Sequence, residues 1–257
     1  MTHDPDQLIG LIPAAGKGVR LNVPFPKELF PIIQDGKFFP VAQSILDQIT
    51  FAGVKHVVFV VNPTKHQLMQ YFGNGERFNC DLSYVMQEVN EEHRKTSVTP
   101  GLLEAMDAGY HLVKDKLVFF GMPDTIIRPK EIYQVAYNHL KEHQDAMFCL
   151  FKATRPQKSG MTRLDDKDEI LEIVDKPAKT DLIWMWGAII WKPTYNEFMH
   201  QCITQRQIYD YGTMMNEGLK AGLKYGSVKF ENGEYIDLWT MDDISQLKEF
   251  KLGRISI

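Results

Sequence analysis

The stretch GLIPAAGKGVRLNVPFPKELFPI, residues 10 to 32, carries most of the fold information in this chain. Its apolar start leads into small residues and two glycines, Gly16 and Gly18, and two cations follow, Arg20 and Lys27. A strand that ends in a glycine-containing turn exposes backbone N–H groups. Cations beside such N–H groups make a place for phosphates. The stretch therefore predicts a nucleoside triphosphate site at the end of a strand.

Two common glycine motifs do not match this stretch. The dinucleotide fingerprint needs a third glycine three positions after Gly18, where this chain has Leu21. Three prolines between residues 24 and 31 also leave no room for the long helix of that motif. The P-loop needs Ser or Thr after Gly-Lys, but Lys17 is followed by glycine. An ordinary strand-to-turn connection remains the alternative to a phosphate site.

Composition limits the class of protein. The chain has 257 residues and 44% hydrophobic content, enough to build a large α/β core. Its formal charge of −4 argues against general nucleic-acid binding. The three cysteines are scattered, without a disulfide or zinc-finger spacing, which favours a reducing cytoplasm. Neither a signal peptide nor an apolar run long enough to span a membrane is expected.

Short apolar segments alternate with helical segments along the whole chain. This alternation predicts an α/β fold: a Rossmann-like, mostly parallel mixed sheet with helices on both faces. We expect a single domain over residues 1–257, to which residues 150–195 contribute a β-rich part. The predicted strands are Leu8–Ile12, Val57–Val61, Leu82–Met86, Leu117–Phe120, Ala146–Ala153, Ile170–Val174, Trp186–Trp191 and Tyr225–Phe230. The predicted helices are Val41–Ala52, Lys65–Phe72, Gly101–His111, Ile132–His143, Thr194–Met199 and Tyr211–Ala221.

An acid follows one of the predicted strands. Asp124 comes shortly after Leu117–Phe120, which places it at the edge of the sheet where ligands bind. A magnesium ion that accompanies a triphosphate needs only one or two carboxylates from the protein. Taken alone, an aspartate that caps the turn before Pro129 is the more frequent case.

The motif Ala14-Ala15-Gly16-Lys17-Gly18-Val19-Arg20, followed by Pro26-Lys27-Glu28-Leu29-Phe30-Pro31-Ile32, resembles a known signature. It is similar to the A-A-G-x-G-x-R and P-K-x-L-x-P-I elements of the nucleotidyltransferases that activate sugar 1-phosphates. The resemblance is strongest to glucose-1-phosphate uridylyl- and thymidylyltransferases, and it implies their nucleotide-diphospho-sugar transferase fold. Val19 and the short loop before Lys27 depart from those enzymes. The loop length is closer to that of the cytidylyltransferases of isoprenoid and polyol phosphates.

The resemblance also implies roles for residues in this chain. The catalytic residues would be Arg20 and Lys27, which hold the triphosphate, and Lys176, which contacts the sugar phosphate. Mg²⁺ would be bound by Asp124 and by Asp237, for which Asp242 and Asp243 are weaker competitors. The nucleotide would contact Ala14, Ala15, Gly16, Gly18, Gln87 and Gly101. The sugar phosphate would contact Gly160, Asp175 and Gly187.

These residues predict nucleotidyl transfer. An NTP, with UTP or dTTP favoured, would react with a sugar 1-phosphate to give an NDP-sugar and pyrophosphate. Neither nucleic acid nor a membrane is an expected partner, and a homo-oligomer is compatible with the sequence. Two alternatives stay open: a cytidylyltransferase acting on a polyol or other alcohol phosphate, and a catalytically silent nucleotide-sugar sensor.

Overall fold

The computed structural model describes residues 5–16, 18, 23–34, 36–88, 101–238 and 243. The described ranges contain strands β1 Leu8–Pro13, β2 Pro31–Gln34, β3 Lys37–Pro40, β4 His56–Val61, β5 Asp81–Met86, β6 Leu117–Phe120, β7 Thr125–Arg128, β8 Ala146–Lys152, β9 Gly160–Leu164, β10 Ile170–Asp175, β11 Trp184–Trp191, β12 Tyr225–Lys229 and β13 Glu234–Asp237. The α-helices are α1 Val41–Phe51, α2 His66–Phe72, α3 Leu102–Ala108, α4 Tyr110–Val113, α5 Ile132–His139, α6 Pro193–Thr204 and α7 Tyr211–Lys220.

A nine-stranded mixed sheet forms the centre of the fold. Its path runs β10-β9-β11-β6-β1-β4-β5, and β8 pairs with both β11 and β12. The strands β6, β1, β4 and β5 are parallel to one another. By contrast, β11 is antiparallel to β6, β8 and β9. The pairs β2–β3 and β7–β13 form two small separate sheets. The predicted α/β class and mixed sheet are confirmed.

The strand β1 is buried along its full length. Ile12 packs into one core cluster, which includes Ile45 of α1 and Tyr133 of α5. Leu11 packs into a second cluster, which includes Met106 of α3. Because successive side chains of a strand point to opposite faces, one apolar strand serves both clusters. Helices therefore cover both faces of the sheet, as the alternating pattern predicts.

Most predicted elements are present, and three helix boundaries are wrong. The helix expected over Gly101–His111 is divided in two at Gly109. The helix expected over Ile132–His143 ends at His139, because the side chain of Gln144 accepts the Lys141 backbone N–H in a turn of its own. The helix expected over Thr194–Met199 runs longer, from Pro193 to Thr204. Five short strands that the pattern did not predict are β2, β3, β7, β9 and β13.

The segment after β6 brings an acid to the carboxyl edge of the sheet. Gly121 follows the strand directly, and a Cβ there would lie 2.3 Å from both Ile45 Cγ1 and the Tyr133 hydroxyl. The chain then turns through Pro123 into Asp124, the residue before β7. Glycine thus allows the backbone to pass close over α1 and α5, and this path sets the position of Asp124.

Within the described ranges, no helix is both long and apolar enough to cross a membrane. Residues 150–195 include β9, β10 and β11, which extend the central sheet. The single domain, the cytoplasmic location and the homo-oligomer stay predictions.

Candidate active site

The glycine-containing loop begins where β1 ends. The Ala14 N–H donates to the Val60 carbonyl at 2.7 Å, so the first residue of the loop still continues the parallel pairing. Further along, Gly18 has φ of +66°, a left-handed conformation that favours glycine. Its Cα lies against Lys27, since a Cβ there would be 3.3 Å from Lys27 Cγ. The loop and the following lysine, predicted as one phosphate site, are therefore in contact.

Lys27 and Asp124 form an ion pair at the carboxyl edge of the sheet. Lys27 Nζ lies 2.5 Å from Asp124 Oδ2, and the two side chains are 20% and 0% exposed. Burial lowers the pKa of Lys27, but the charge of Asp124 and the hydrogen bond to it outweigh that effect, so the net shift is upward. The other oxygen, Asp124 Oδ1, is buried and has no hydrogen-bond partner in the part of the chain that the structure describes.

Asp237 joins this pair through backbone pairing. It lies opposite Thr125 in the β7–β13 ladder, and the Leu238 N–H donates to the Asp124 carbonyl at 2.9 Å. Burial raises the pKa of Asp237 to about 7, and the charge of Asp124 adds to the rise. The Tyr235 hydroxyl and Lys27 oppose it. Two acids and one lysine thus form a compact cluster. The metal-binding role of Asp124 and Asp237 stays a prediction.

Lys176 lies on the other side of the site, directly after β10. Its φ is +46°, which is uncommon for a residue that is not glycine and is typical of functional sites. Its N–H donates to the Ser159 carbonyl at 3.0 Å, which fixes the turn next to Gly160. Its Nζ lies 3.0 Å from Asp175 Oδ2, and both side chains are exposed. The lysine is held by its backbone, and its ammonium faces solvent.

One cavity of about 260 Å³ is lined by both Lys176 and Asp237. Its lining includes five residues that the sequence analysis assigned to three different roles: Gly101, Gly160, Asp175, Lys176 and Asp237. A larger groove of about 1290 Å³ between α1 and β7 contains none of the predicted site residues. The smaller cavity is therefore the candidate site, because predicted site residues line it and none lines the larger groove.

Of three further predicted contact residues, Gly101 lines this cavity, whereas Gln87 and Gly187 are not among its lining residues. Gln87 follows β5, is buried, and its Nε2 has no hydrogen-bond partner within the described ranges. Gly101 begins α3, and its N–H is accepted by Glu104 Oε2 at 2.8 Å. Gly187 lies beneath the ring of Tyr235, since a Cβ there would be 2.6 Å from that ring. Gly187 therefore supports a lining residue and does not itself line the cavity.

A family model described as nucleotidyl transferase matches residues 9–252 of this chain. This match begins in β1 and extends beyond Asp237. The chain belongs to the nucleotidyl transferase family. The predicted family and its enzyme class are confirmed.

Curated proteins that are similar to this chain include both kinds of relative that the sequence motifs suggested. The chain is 27% identical to a glucose-1-phosphate thymidylyltransferase of Streptomyces griseus over 198 residues, 73% of this chain and 50% of that protein. It is 32% identical over 108 residues to a 2-C-methyl-D-erythritol 4-phosphate cytidylyltransferase of Nocardia farcinica, 42% of this chain and 43% of that protein. The chain thus spans about half the length of these relatives or less.

Solved structures of the nucleotidyl transferase type share the fold. A candidate glucose-1-phosphate thymidylyltransferase from Bacillus anthracis superposes with a TM-score of 0.79 at 16% identity, covering 96% of each chain. An apo UDP-glucose pyrophosphorylase superposes with a TM-score of 0.76 at 18% identity, covering 95% of this chain and 98% of that one. At these identities the comparison supports the fold, and the predicted fold class is confirmed.

The acids of this nucleotidyl transferase suit a magnesium ion that is shared with a substrate. The described residues contain no group of three or more His, Cys, Asp or Glu side chains arranged to hold a metal alone. Mg²⁺ in such sites takes one or two carboxylates and completes its shell with phosphate oxygens and water. Asp124 and Asp237 fit this need, and the unpartnered Asp124 Oδ1 is an available ligand atom.

Several residues with predicted or competing roles lie outside the described residues. They are Arg20, Asp242 and the motif residues Lys17 and Val19. The predicted role of Arg20 in holding the triphosphate stays a prediction. Asp243, a competitor for the metal, is described; it is buried and paired with Arg155.

Part of the cavity wall is not predicted by the sequence. Tyr209, Asp210 and Tyr211 line the cavity from the start of α7. Asp210 Oδ1 accepts the Thr213 N–H at 2.7 Å, a helix N-cap that the sequence signals by an acid three residues before threonine. That signal predicts where α7 begins, but it does not predict that the start of α7 lies at the cavity. Lys158 adds a second cation to the rim near Lys176.

The high pKa of Asp237 predicts a pH-dependent stability for the metal-free protein. The unfolded carboxyl titrates near pH 4 and the folded one near 7, so between these values folding takes up a proton. Stability therefore falls as pH rises from about 4 to 7 and then levels off. The charged groups facing Asp237 are Asp124, Lys27 and Asp243.

Asp237→Asn removes this titration. Urea unfolding in EDTA at pH 5 and pH 8 should show the variant gaining stability relative to wild type at the higher pH. The same difference at both values would contradict the assignment of the raised pKa to Asp237.

Proposed function

We propose that this chain transfers a nucleotidyl group from an NTP, UTP or dTTP in preference, to the phosphate oxygen of a sugar 1-phosphate. The observation that carries the proposal is the contact between the glycine-containing loop, Lys27 and the Asp124–Asp237 pair, of which Asp237 lines the cavity that also holds Lys176. The product would be an NDP-sugar and the leaving group pyrophosphate.

The reaction needs little proton transfer from the protein. The attacking phosphate oxygen is already anionic at neutral pH, so no general base is required. A bond forms between this oxygen and the α-phosphorus, and the bond from the α-phosphorus to the bridging oxygen of the pyrophosphate breaks. Catalysis then rests on positioning and on neutralising charge. These are tasks for Lys27 and Lys176, with Arg20 assigned to the triphosphate by resemblance.

Mg²⁺ would be held by Asp124 and Asp237, and when bound it would neutralise phosphate charge. Lys27 is now the partner of Asp124. With Asp124 holding the ion, the Lys27 ammonium would be available to phosphate oxygens beside Gly18. Lys176 would orient the acceptor phosphate, and Asp175 would accept hydrogen bonds from acceptor hydroxyls. Gln87, with its unpartnered amide, would donate to the base.

A second candidate is cytidylyl transfer to a polyol or other alcohol phosphate. It is favoured by the short loop before Lys27 and by the local 32% identity to the 2-C-methyl-D-erythritol 4-phosphate cytidylyltransferase of Nocardia farcinica. The same loop, cations and acids would serve, with a different base and acceptor.

A substrate panel separates the candidates. Pyrophosphate release would be measured for UTP, dTTP, CTP and ATP against glucose 1-phosphate and a set of alcohol phosphates, in Mg²⁺. The proposal expects release with a sugar 1-phosphate and UTP or dTTP. Release with CTP and an alcohol phosphate alone would support the second candidate. NTP binding without release under all conditions would support the sensor.

Gly16→Ala tests whether phosphates approach the backbone of the loop. A Cβ at Gly16 would meet nothing within 4 Å, so the fold should tolerate it within about 0.5 kcal/mol. In the complex the methyl group would occupy phosphate space, and NTP affinity should fall roughly tenfold, or about 1.4 kcal/mol. Fluorescence titration with an NTP and urea unfolding measure the two effects.

The matched control is Gly226→Ala on β12, away from the candidate site, whose Cβ would clash with the side chain of Gln144. It should lose about 1–3 kcal/mol of stability through overpacking. Unchanged NTP affinity in stable Gly16→Ala would exclude close phosphate contact at this glycine.

A further inference from the structure

The turn that follows β4, residues 62–65, is held together internally. Asn62 Oδ1 accepts from both the Thr64 N–H at 2.8 Å and the Thr64 hydroxyl at 2.6 Å. The Lys65 N–H donates to the Asn62 carbonyl at 3.0 Å. An Asx turn with these bonds has a defined shape. The groups that its side chains contact are therefore held at a fixed position relative to the sheet.

One side chain of this turn reaches the glycine-containing loop. Asn62 Nδ2 donates to the Ala15 carbonyl at 2.5 Å, one residue before Gly16. Ala14, the residue before, is still paired with β4. The Asn62 contact thus continues the attachment of the loop to β4 past the last backbone bond of the sheet.

The other end of the turn reaches the segment that carries Lys27. Lys65 Nζ lies 2.6 Å from Glu28 Oε2, and the two side chains are 2% and 0% exposed. Glu28 sits in the short 3₁₀ turn Lys27–Leu29, next to the lysine of the site. Burial raises the pKa of the Glu28 carboxyl, and the charge of Lys65 opposes the rise.

Stability alone is a weak reason for this ion pair. A buried pair gains little over two apolar side chains of the same volume, because both charges lose their hydration. Glu28 Oε1 is also buried, without a hydrogen-bond partner among the described residues. The Lys65–Glu28 pair instead fixes the orientation of the 3₁₀ turn, because its two charged groups are held 2.6 Å apart.

We infer that the 62–65 turn is a positioning element of the nucleotide site, in which Asn62 sets the glycine-containing loop and Lys65, through Glu28, sets Lys27. Neither Asn62 nor Lys65 need touch the substrate. The inference rests on the proposed function in one respect: it takes the ligand between the loop and Lys27 to be an NTP.

Lys65→Met tests the inference through its coupling to Lys27. In the wild-type background it should weaken NTP affinity roughly 10- to 100-fold, the range expected when a binding group is displaced by about 1 Å. In a Lys27→Met background it should add less than about twofold, since the residue it positions is gone. Equal losses in both backgrounds would show that Lys65 supports the fold only.

Glu28→Leu/Lys65→Met guards against loss of folding. Replacing both charges with apolar groups should restore the thermal stability that Lys65→Met alone loses. Its NTP affinity should stay below wild type by the same 10- to 100-fold. Wild-type affinity in this double variant would overturn the role of the ion pair.

Asn62→Asp isolates the contact to the loop. It keeps the oxygen that accepts from Thr64 and removes the donor to Ala15, so NTP affinity should fall while the turn persists. Asn196→Leu is the control, because Asn196 makes buried hydrogen bonds to Trp191 and Val113 in another part of the fold. It should lose stability without changing NTP affinity.

Equilibrium binding of the NTP without acceptor separates this inference from the proposed function. Binding that depends on Lys65, with no pyrophosphate released from any acceptor, would refute the function and support the positioning role. Pyrophosphate release with the same KM for NTP and the same kcat in wild type and Lys65→Met would refute the positioning role. No NTP binding by wild type would refute both.

Discussion

Lys27→Met is expected to slow pyrophosphate release by about 10²- to 10³-fold, as for loss of one preorganised charge at a transition state. Among the residues that the structure describes, Lys27 is a cation in contact with the glycine-containing loop. Its ammonium group already lies beside the acids of the site. Without Lys27, one cation fewer neutralises the charge that develops on the departing pyrophosphate. Steady-state kinetics should show the loss both in the KM for NTP, because Lys27 holds the triphosphate, and in kcat, because charge on the pyrophosphate grows as the bond breaks.

The variant should also lose stability, since it leaves Asp124 buried without its partner. Breaking such a pair costs roughly 3–5 kcal/mol, less where a side chain reaches solvent as Lys27 does. Lys27→Met/Asp124→Asn removes both charges and should recover most of that stability while remaining inactive. Lys220→Met, at an exposed pair on α7, is the matched lysine control and should change neither property. An active Lys27→Met would contradict the role of Lys27.

Asp124→Asn is expected to reduce Mg²⁺-dependent pyrophosphate release by about 10³-fold, on the order of 4 kcal/mol of transition-state stabilisation. The amide keeps the shape of the side chain but loses the negative charge that a divalent cation needs. Its effect on folding should be small, because the charge beside Asp237 also disappears and Lys27 can turn to solvent. Activity and stability should therefore separate in this variant.

Mg²⁺ titrations provide the direct readout for Asp124. Isothermal titration of Mg²⁺ into the complex with a non-reactive NTP analogue should show affinity in wild type and a large loss in Asp124→Asn. Asp107→Asn, which removes a carboxylate paired with His200 on the helical side, should leave Mg²⁺ affinity unchanged. Equal Mg²⁺ affinity in Asp124→Asn and wild type would move the metal site elsewhere.

The sequence predicted the first half of the site better than its surroundings. An apolar β1 followed by glycines and Lys27 is a local pattern, and its local structure follows from it. Asp124 could not be assigned from the local sequence. An aspartate in such a position is more often a turn cap, and only the family resemblance favoured a metal ligand. Its position next to Asp237 depends on the pairing of β7 with β13, which joins segments more than a hundred residues apart.

The remaining misses have the same physical origin. The contact between Glu28 and Lys65 spans 37 positions, and each residue taken alone is an ordinary charged side chain. The early end of α5 depends on a side-chain contact from Gln144 that periodicity does not record. Local patterns predict strands and helices, whereas buried polar contacts arise when those elements are packed together.

The central claim is that one site on this chain joins an NTP to a sugar 1-phosphate. The most direct measurement is ³¹P NMR of a reaction containing the protein, Mg²⁺, UTP or dTTP and glucose 1-phosphate. We predict pyrophosphate and an NDP-sugar in a one-to-one ratio, absent with EDTA and with Asp124→Asn. Nucleotide that binds but stays intact across the full panel of sugar 1-phosphates would contradict the claim.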